Sequence, residues 1–145
     1  MKRLYKEIND ALYNTYYGIN RIEEEELKKS RFKDLTVKEM HAIDAITMYD
    51  HLTVSQVAEK LHLSRATVTS TVDRLVRKGY AERIRDKKDR RIVRLALTDK
   101  GRVLCRAYHA YHNMMVTSFL QNMNDDDLQT IYHAFKNLEK FVNSH

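Results

Sequence analysis

Four positive charges occupy five consecutive positions in the run KKDRR at residues 87–91. The run comprises Lys87, Lys88, Asp89, Arg90 and Arg91, and the residues on both sides of it have strand character. Lysine and arginine bind phosphate, and arginine also enters narrow minor grooves of DNA, where the negative potential is enhanced. A solvated turn is also polar, but it does not need so much charge of one sign. We therefore predict that this run contacts nucleic acid.

A second set of polar side chains precedes the run, on a stretch with helical periodicity. Val68, Val72 and Leu75 recur at spacings of four and three and predict the buried face of a helix. The opposite side carries Arg65, Thr67, Thr69, Ser70, Asp73, Arg74 and Arg77, with hydroxyl groups near the helix start and arginines farther along. The candidate DNA contacts are these residues other than Asp73, together with Ser64 at the helix start. Small hydrogen-bonding groups suit a helix that enters a DNA major groove. The alternative is a solvated helix face rich in Ser, Thr and Arg.

The elements that position these residues follow from capping signals and alternation. The capping box TVSQ at 53–56 predicts a short helix to Leu61, and Ser64 begins a second helix that ends near Gly79. Two short helices with a three-residue turn form a helix-turn-helix. Strand-like segments at 80–85 and 91–97 then predict a hairpin with its tip at 86–90. A hairpin directly after a recognition helix is a wing.

Long helices are predicted on both sides of this lobe. The first is predicted at 2–28 and the second at 37–48, where the capping box TVKE begins it. A third is predicted at 99–120 with Thr98 as its cap, and the last begins after Asn124. In the last helix, Leu128, Ile131, Phe135, Leu138 and Val142 repeat at spacings of three and four, as in a helix-packing seam. The terminal helices carry more apolar surface than a small winged domain can cover, which favours a homodimer.

The predicted fold is therefore mainly α with a small β-hairpin wing. We predict a single domain at 1–145, with dimerisation helices at 2–30 and 98–145 around a winged helix-turn-helix lobe at 36–97. Between residues 60 and 94 the chain has twelve Lys and Arg against four Asp and Glu, whereas the rest has fourteen against sixteen. Such a local basic excess is the expected footprint of a nucleic-acid partner.

Other classes of protein lack support in the sequence. No apolar run reaches the length of a transmembrane helix, and charges interrupt the N-terminus too early for a signal peptide, so a cytoplasmic protein without a membrane partner is expected. No phosphate loop, nucleophile elbow or HExxH motif is present, so neither an enzyme nor a cofactor is predicted. An adaptor that does not bind DNA, built from the dimer helices, is the remaining alternative.

The wing and the helix after it carry a family signature. Asp89-Arg90-Arg91, then IVRLA, then Leu97-Thr98-Asp99-Lys100-Gly101 matches the pattern D-x-R, strand, L-T-x-x-G of MarR-family transcriptional regulators. The chain resembles this family over nearly its whole length. The resemblance implies a dimer that binds an inverted repeat of double-stranded DNA. It also implies that Arg91 is the minor-groove arginine and that Asp89 holds it.

The stretch SRFKDLTVKEMHAIDAI at 30–46 is similar to FabT-type repressors, a MarR subgroup that controls fatty-acid synthesis genes in Gram-positive bacteria. The similarity implies a repressor whose co-repressor is acyl carrier protein loaded with a long acyl chain. Candidate residues for an apolar slot are Tyr17, Phe32, Met40, Ile43, Leu104, Tyr108 and Met114, with plain core as the alternative for each. Candidate residues for docking an acidic carrier are Lys28, Lys29, Arg31 and Lys33.

The sequence also contains residues for two other sensing chemistries, zinc binding and thiol oxidation. His109 and His112 lie three positions apart on one helix, and His41 lies where zinc-sensing MarR members also place a ligand. With Glu24 these residues could form a tetrahedral zinc site. The second acidic cluster of those sensors is missing, so surface or hydrogen-bonded histidines are the competing interpretation. Cys105 is either a peroxide sensor or a small buried apolar residue, and the redox-sensing members carry their cysteine in the first helix.

Overall fold

The structure, a computed structural model, describes residues 1–145 and is mainly α with one small sheet. The helices and strands are α1 (Lys2–Lys29), α2 (Val37–Ile46), α3 (Val54–Leu61), α4 (Arg65–Arg77), β1 (Ala81–Arg85), β2 (Val93–Leu97), α5 (Asp99–Phe119) and α6 (Asp125–Asn143). Strands β1 and β2 pair antiparallel, with Ala81 opposite Leu97 and Arg85 opposite Val93. The predicted winged helix-turn-helix fold is confirmed. No helix is both long and apolar enough to span a membrane.

Side-chain caps begin the helices where the sequence predicts them. Thr36, Thr53 and Asn124 each form a reciprocal capping box with the residue three positions later. Ser64 accepts a hydrogen bond from the backbone N–H of Thr67 at 3.1 Å and so begins α4. Each cap satisfies backbone donors that the first helical turn leaves without a partner.

Two predicted boundaries are wrong by two residues. Helix α2 ends at Ile46 rather than Met48, because Thr47 adopts a positive φ of 71° and leaves the helical path. Strand β2 begins at Val93 rather than Arg91, because the backbone of Ile92 closes the hairpin loop. The Ile92 N–H donates to the carbonyl of Asp89, and its carbonyl accepts from the N–H of Asp86.

The buried core of residues 1–107 lies under the helix-turn-helix and the hairpin. Val68, Val72 and Leu75 are all buried, as their spacing predicts. The side chain of Tyr80 is fully buried where α4 passes into β1. A Cβ atom at Gly101 would clash with the carbonyl oxygen of Tyr80, so only glycine lets α5 approach this closely.

The chain forms two compact units, residues 1–107 and 108–145. In the first, α1 buries only Glu23 and Leu27, and most of its large apolar side chains are exposed. In the second, α6 buries no residue at all. Both helices therefore present apolar surface that a single chain leaves in water. The assignment of 2–30 and 98–145 to dimerisation remains a prediction.

Candidate DNA-binding surface

The turn between α3 and α4 sets the position of the recognition helix. His62 ends α3 in the left-handed conformation, with φ 55°, and the N–H of Leu63 donates back to the carbonyl of Ala58 at 3.0 Å. Ser64 then starts α4. Because the apolar stripe of α4 is buried in the lobe, the opposite side of the helix faces solvent.

The predicted contact residues on α4 and at its N-cap, Arg74 apart, fall into two groups. Ser64 and Thr67 are committed to the cap, since the Ser64 hydroxyl donates to Thr67 Oγ1 at 2.8 Å and accepts from the Thr67 N–H. The side chains of the other group are exposed along the helix and take no part in the cap: Arg65, Thr69, Ser70 and Arg77. These side chains offer both donors and acceptors at the solvent face of α4, as major-groove recognition requires.

Arg74, predicted as a DNA contact, also binds a buried carboxylate. Its Nε lies 3.2 Å from Oε2 of Glu39, whose side chain is only 2% exposed. Lys78 Nζ lies 2.8 Å from Oε1 of the same carboxylate, and the Thr36 N–H donates to that oxygen at 2.9 Å. Burial favours the neutral form, but these partners outweigh it and hold the pKa of Glu39 below its ordinary value. Glu39 therefore ties α2 to the recognition helix as a carboxylate.

In the sequence, Glu39 is recognisable only as a member of the capping box TVKE. Its cations lie 35 and 39 positions farther along the chain. One feature of the sequence does point to this cluster. Glu39 lies on the same face of α2 as the apolar residues Met40 and Ile43, and that face is buried. A carboxylate in that position needs a cation partner.

The wing, residues 81–97, presents Arg91 at its tip. Asp89 binds the guanidinium through both oxygens, with Nε to Oδ1 and Nη2 to Oδ2 each at 3.0 Å. The Arg91 side chain is still 90% exposed. This bidentate pair lowers the pKa of Asp89 and raises that of Arg91. The ion pair orients the arginine without covering it. Lys87, Lys88 and Arg90 are also exposed around it.

Two further ion pairs involve the wing, and no pattern in the sequence predicts them. Asp86 Oδ1 accepts from Arg94 Nε at 2.8 Å, and this bond is the largest cause of the lowered pKa of Asp86. Arg83 Nη2 donates to Asp73 Oδ1 at 2.5 Å and so connects β1 to α4. Opposite charges eight and ten positions apart are common by chance. Only the hairpin register identifies the Asp86–Arg94 pair, and only the packing of β1 against α4 identifies the Asp73–Arg83 pair.

The candidate pocket residues separate by burial. Phe32, Met40, Ile43 and Leu104 are all buried in the core of residues 1–107. Tyr17 and Met114 are exposed, at 56% and 73%, and Tyr108 is half-buried. In this structure, therefore, Phe32, Met40, Ile43 and Leu104 are residues of the hydrophobic core. Their use by an acyl chain stays a prediction.

The basic docking candidates surround the connector between α1 and α2. Lys28 and Lys29 end α1, Arg31 and Lys33 follow it, and all four are exposed. The Ser30 hydroxyl donates to the carbonyl of Leu27 at 2.8 Å and accepts from the N–H of Phe32 at 3.0 Å. These bonds fix the connector, so the four cations have a defined backbone.

The candidate zinc ligands require one correction. His41 Nε2 lies 2.9 Å from Oε2 of Glu23, not of Glu24, because Glu23 shares the buried side of α1 with Leu27 while Glu24 is exposed. In the second unit, the His112 ring meets that of Tyr108 edge-on at 4.5 Å. His109, in the same unit, is exposed.

Cys105 is buried, and burial raises the pKa of its thiol. A buried, protonated thiol is a poor nucleophile, so this environment favours the small apolar role over a peroxide sensor.

Comparisons with known proteins agree with this geometry. The model of the MarR family matches residues 33–92. A structure of Streptococcus pneumoniae FabT in complex with DNA is 38% identical, with a TM-score of 0.87, and the match covers 97% of this chain and 98% of that one. The HTH-type transcriptional repressor MdtR of Bacillus subtilis is 25% identical, over 92% of this chain and 86% of that protein. A Staphylococcus aureus MepR–DNA complex shares the fold, with a TM-score of 0.71 at 20% identity.

The fold and its exposed helix face define a winged helix-turn-helix DNA-binding regulator of transcription. The chain belongs to the MarR family. Its similarity to FabT extends over the terminal helices as well as the DNA-binding lobe.

Proposed function

We propose that the protein is a homodimeric repressor that binds an inverted repeat of double-stranded DNA. The observation that carries the proposal is the pairing of an exposed recognition face on α4 with an oriented, exposed Arg91 on the wing. In winged helix proteins the recognition helix usually binds the major groove and the wing binds the adjacent minor groove, and this lobe carries residues suited to both contacts. The 38% identity to FabT, which has been captured on DNA, also supports it.

Arg91→Ala should weaken operator binding by about 1–3 kcal/mol and reduce the preference for A·T pairs under the wing. The measurement is a titration of the tightest-binding duplex selected from a random-sequence library, repeated over a range of salt concentrations. Lys140→Ala, which removes an equal charge from α6, is the matched control and should leave affinity unchanged. If Arg91→Ala binds as tightly as the control, the wing does not contribute to recognition.

The genes under control are proposed to be those of fatty-acid synthesis, with long-chain acyl-acyl carrier protein as co-repressor. The similarity to FabT-type repressors motivates this assignment. The exposed basic connector supports it, since carrier proteins are acidic. The connector also contacts the residues that follow the recognition helix: Lys78 Nζ donates to the carbonyl of Asp34 at 2.6 Å, and the Tyr80 hydroxyl donates to Asp34 Oδ1 at 2.8 Å. A partner bound at the connector would act on a segment attached to the end of α4.

Long-chain acyl carrier protein should raise operator affinity about 5- to 150-fold, the usual range of a coupling between two sites. The effect should grow with chain length, because each buried methylene contributes about 0.8 kcal/mol. The measurement is an operator titration with carrier protein bearing no chain, a short chain or a long chain.

Reversing Arg31 and Lys33 to Glu should abolish this enhancement and leave DNA binding without the carrier nearly intact. Arg106→Glu with Lys140→Glu changes the net charge equally and should retain the enhancement. Equal operator affinity with all three forms of the carrier would contradict the lipid-sensing proposal.

A metal-responsive repressor is the second candidate. The contact between His41 and Glu23 favours it, since a histidine and a carboxylate 2.9 Å apart can share a zinc ion. Operator titrations with zinc and with a chelator separate the two candidates, because only a metal sensor changes its affinity between these conditions.

A further inference from the structure

The carboxylate of Asp86 joins the tip of the wing to its base. Its Oδ2 accepts hydrogen bonds from the backbone N–H groups of Lys88, at 3.1 Å, and Asp89, at 2.9 Å. Its Oδ1 accepts from Arg94 Nε on β2 at 2.8 Å. One side chain therefore holds both the turn that carries Arg91 and the strand that returns to the lobe.

Arg94 extends this connection to the loop before α3. Its Nη1 donates to the carbonyl of His51 at 3.2 Å, and its backbone forms a β-bridge with Thr53. The N–H of Leu95 donates to the carbonyl of Leu52 at 2.7 Å. Helix α3 in turn packs against the recognition helix α4. The wing tip is thus connected to the element that supports the recognition helix.

At the other end, the connection reaches the DNA-facing arginine. Asp86 binds the N–H of Asp89, and the Asp89 carboxylate binds the guanidinium of Arg91. A continuous series of contacts therefore runs from His51 through Arg94, Asp86 and Asp89 to Arg91.

We propose that Asp86 and Arg94 are positioning residues, which set where the Arg91 guanidinium meets the minor groove relative to the recognition helix in the major groove. The proposal rests on the DNA-binding function proposed above. Charge alone predicts the opposite effect of a substitution: neutralising Asp86 removes a negative charge beside the DNA phosphates and should tighten binding. Weaker binding of a neutral variant therefore identifies positioning.

Asp86→Asn should weaken binding to the selected duplex by roughly 3- to 10-fold, within the usual range for residues of one network. It should also lose part of the discrimination against G·C pairs placed under the wing, which a merely structural role would not alter. Glu82→Gln is the matched control, because it makes the same charge change at an exposed position of the same hairpin. The control should bind as tightly as wild type or more tightly.

A double-mutant cycle with Arg91→Ala makes the test specific. If Asp86 acts through Arg91, Asp86→Asn should change affinity by less than about 2-fold in the Arg91→Ala protein. Arg94→Lys, which keeps the charge but cannot reach Asp86 and His51 together, is the second variant and should behave as Asp86→Asn does.

Equal losses in both backgrounds would overturn the proposal, as would tightening by Asp86→Asn like that of the control. If wild-type protein bound no selected duplex, the DNA-binding function itself would fail. Tight wild-type binding with no effect of Asp86→Asn would overturn the positioning role alone.

Discussion

Replacing Leu138 and Val142 together with glutamate should yield a monomer whose affinity for an inverted-repeat duplex is about 100- to 10,000-fold lower. Both side chains lie on the apolar stripe of α6 and are 36% and 61% exposed in a single chain. With Tyr132 and Phe135 they line an open groove of about 470 Å³. A second copy that covers this face would have to bury the new carboxylates without partners. DNA binding then loses the advantage of two linked recognition helices.

Light scattering measures the mass of the variant, and titrations with the full repeat and with a half-site measure its binding. The variant should bind both duplexes with similar affinity, whereas wild type should strongly prefer the full repeat. Gln129→Glu with Asn137→Glu adds the same charge to α6 outside the apolar stripe and is the matched control. It should remain a dimer. A Leu138→Glu, Val142→Glu protein that stays dimeric would show that this face is not the interface.

Local signals in the sequence predict most of the fold. The helix starts at Thr36, Thr53 and Ser64 are predictable because each capping hydroxyl binds a residue only three positions away. The buried face of α4 is predictable because its apolar residues recur at every turn. The same locality explains the errors. The end of α2 depends on the positive φ of Thr47, a conformation that a β-branched residue rarely adopts and that no local pattern predicts.

Much of the candidate surface could be predicted because the wing motif is contiguous. Asp89 and Arg91 are two positions apart, and their ion pair needs only a turn. The ion pairs that support this surface, those of Glu39 and Asp86, could not be predicted. Glu39 meets Arg74 and Lys78 only after α2 packs against α4, and Asp86 meets Arg94 only once the hairpin register is set. The choice between Glu23 and Glu24 likewise depends on the rotation of α1, which packing decides.

Replacing Arg74 and Lys78 together with methionine should lower the free energy of unfolding by about 3 kcal/mol, near the lower end of the range for a broken buried ion pair. The two cations are 45% and 30% exposed at the side chain, so their own loss costs little. The cost arises at Glu39, which is 2% exposed and would keep only the N–H of Thr36 as a partner. Chemical denaturation at a fixed protein concentration measures the difference, since the stability of a dimer depends on concentration.

The pH dependence of this difference identifies Glu39 as its source. In wild type the lowered pKa of Glu39 adds stability above the ordinary glutamate range, and this stability is lost as the pH falls through the folded-state pKa. In the double variant the two cations no longer offset the effect of burial, so the pKa of Glu39 should rise. Protonation of Glu39 at acid pH should then remove the buried charge and relieve the destabilisation. The stability gap should therefore be widest near neutral pH and should narrow on acidification.

Two controls distinguish the effect of leaving the buried Glu39 carboxylate unpaired from the effect of removing two cationic side chains. Arg65→Met with Arg77→Met makes a similar chemical change at exposed positions of the same helix, and each substitution should alter stability by no more than about 0.5 kcal/mol. Adding Glu39→Gln to the Arg74→Met, Lys78→Met protein removes the unpaired charge. It should recover part of the lost stability and flatten the pH dependence. A double variant as stable as the Arg65 and Arg77 control would show that the cations do not support Glu39, and that α2 and the recognition helix are held together by apolar packing alone.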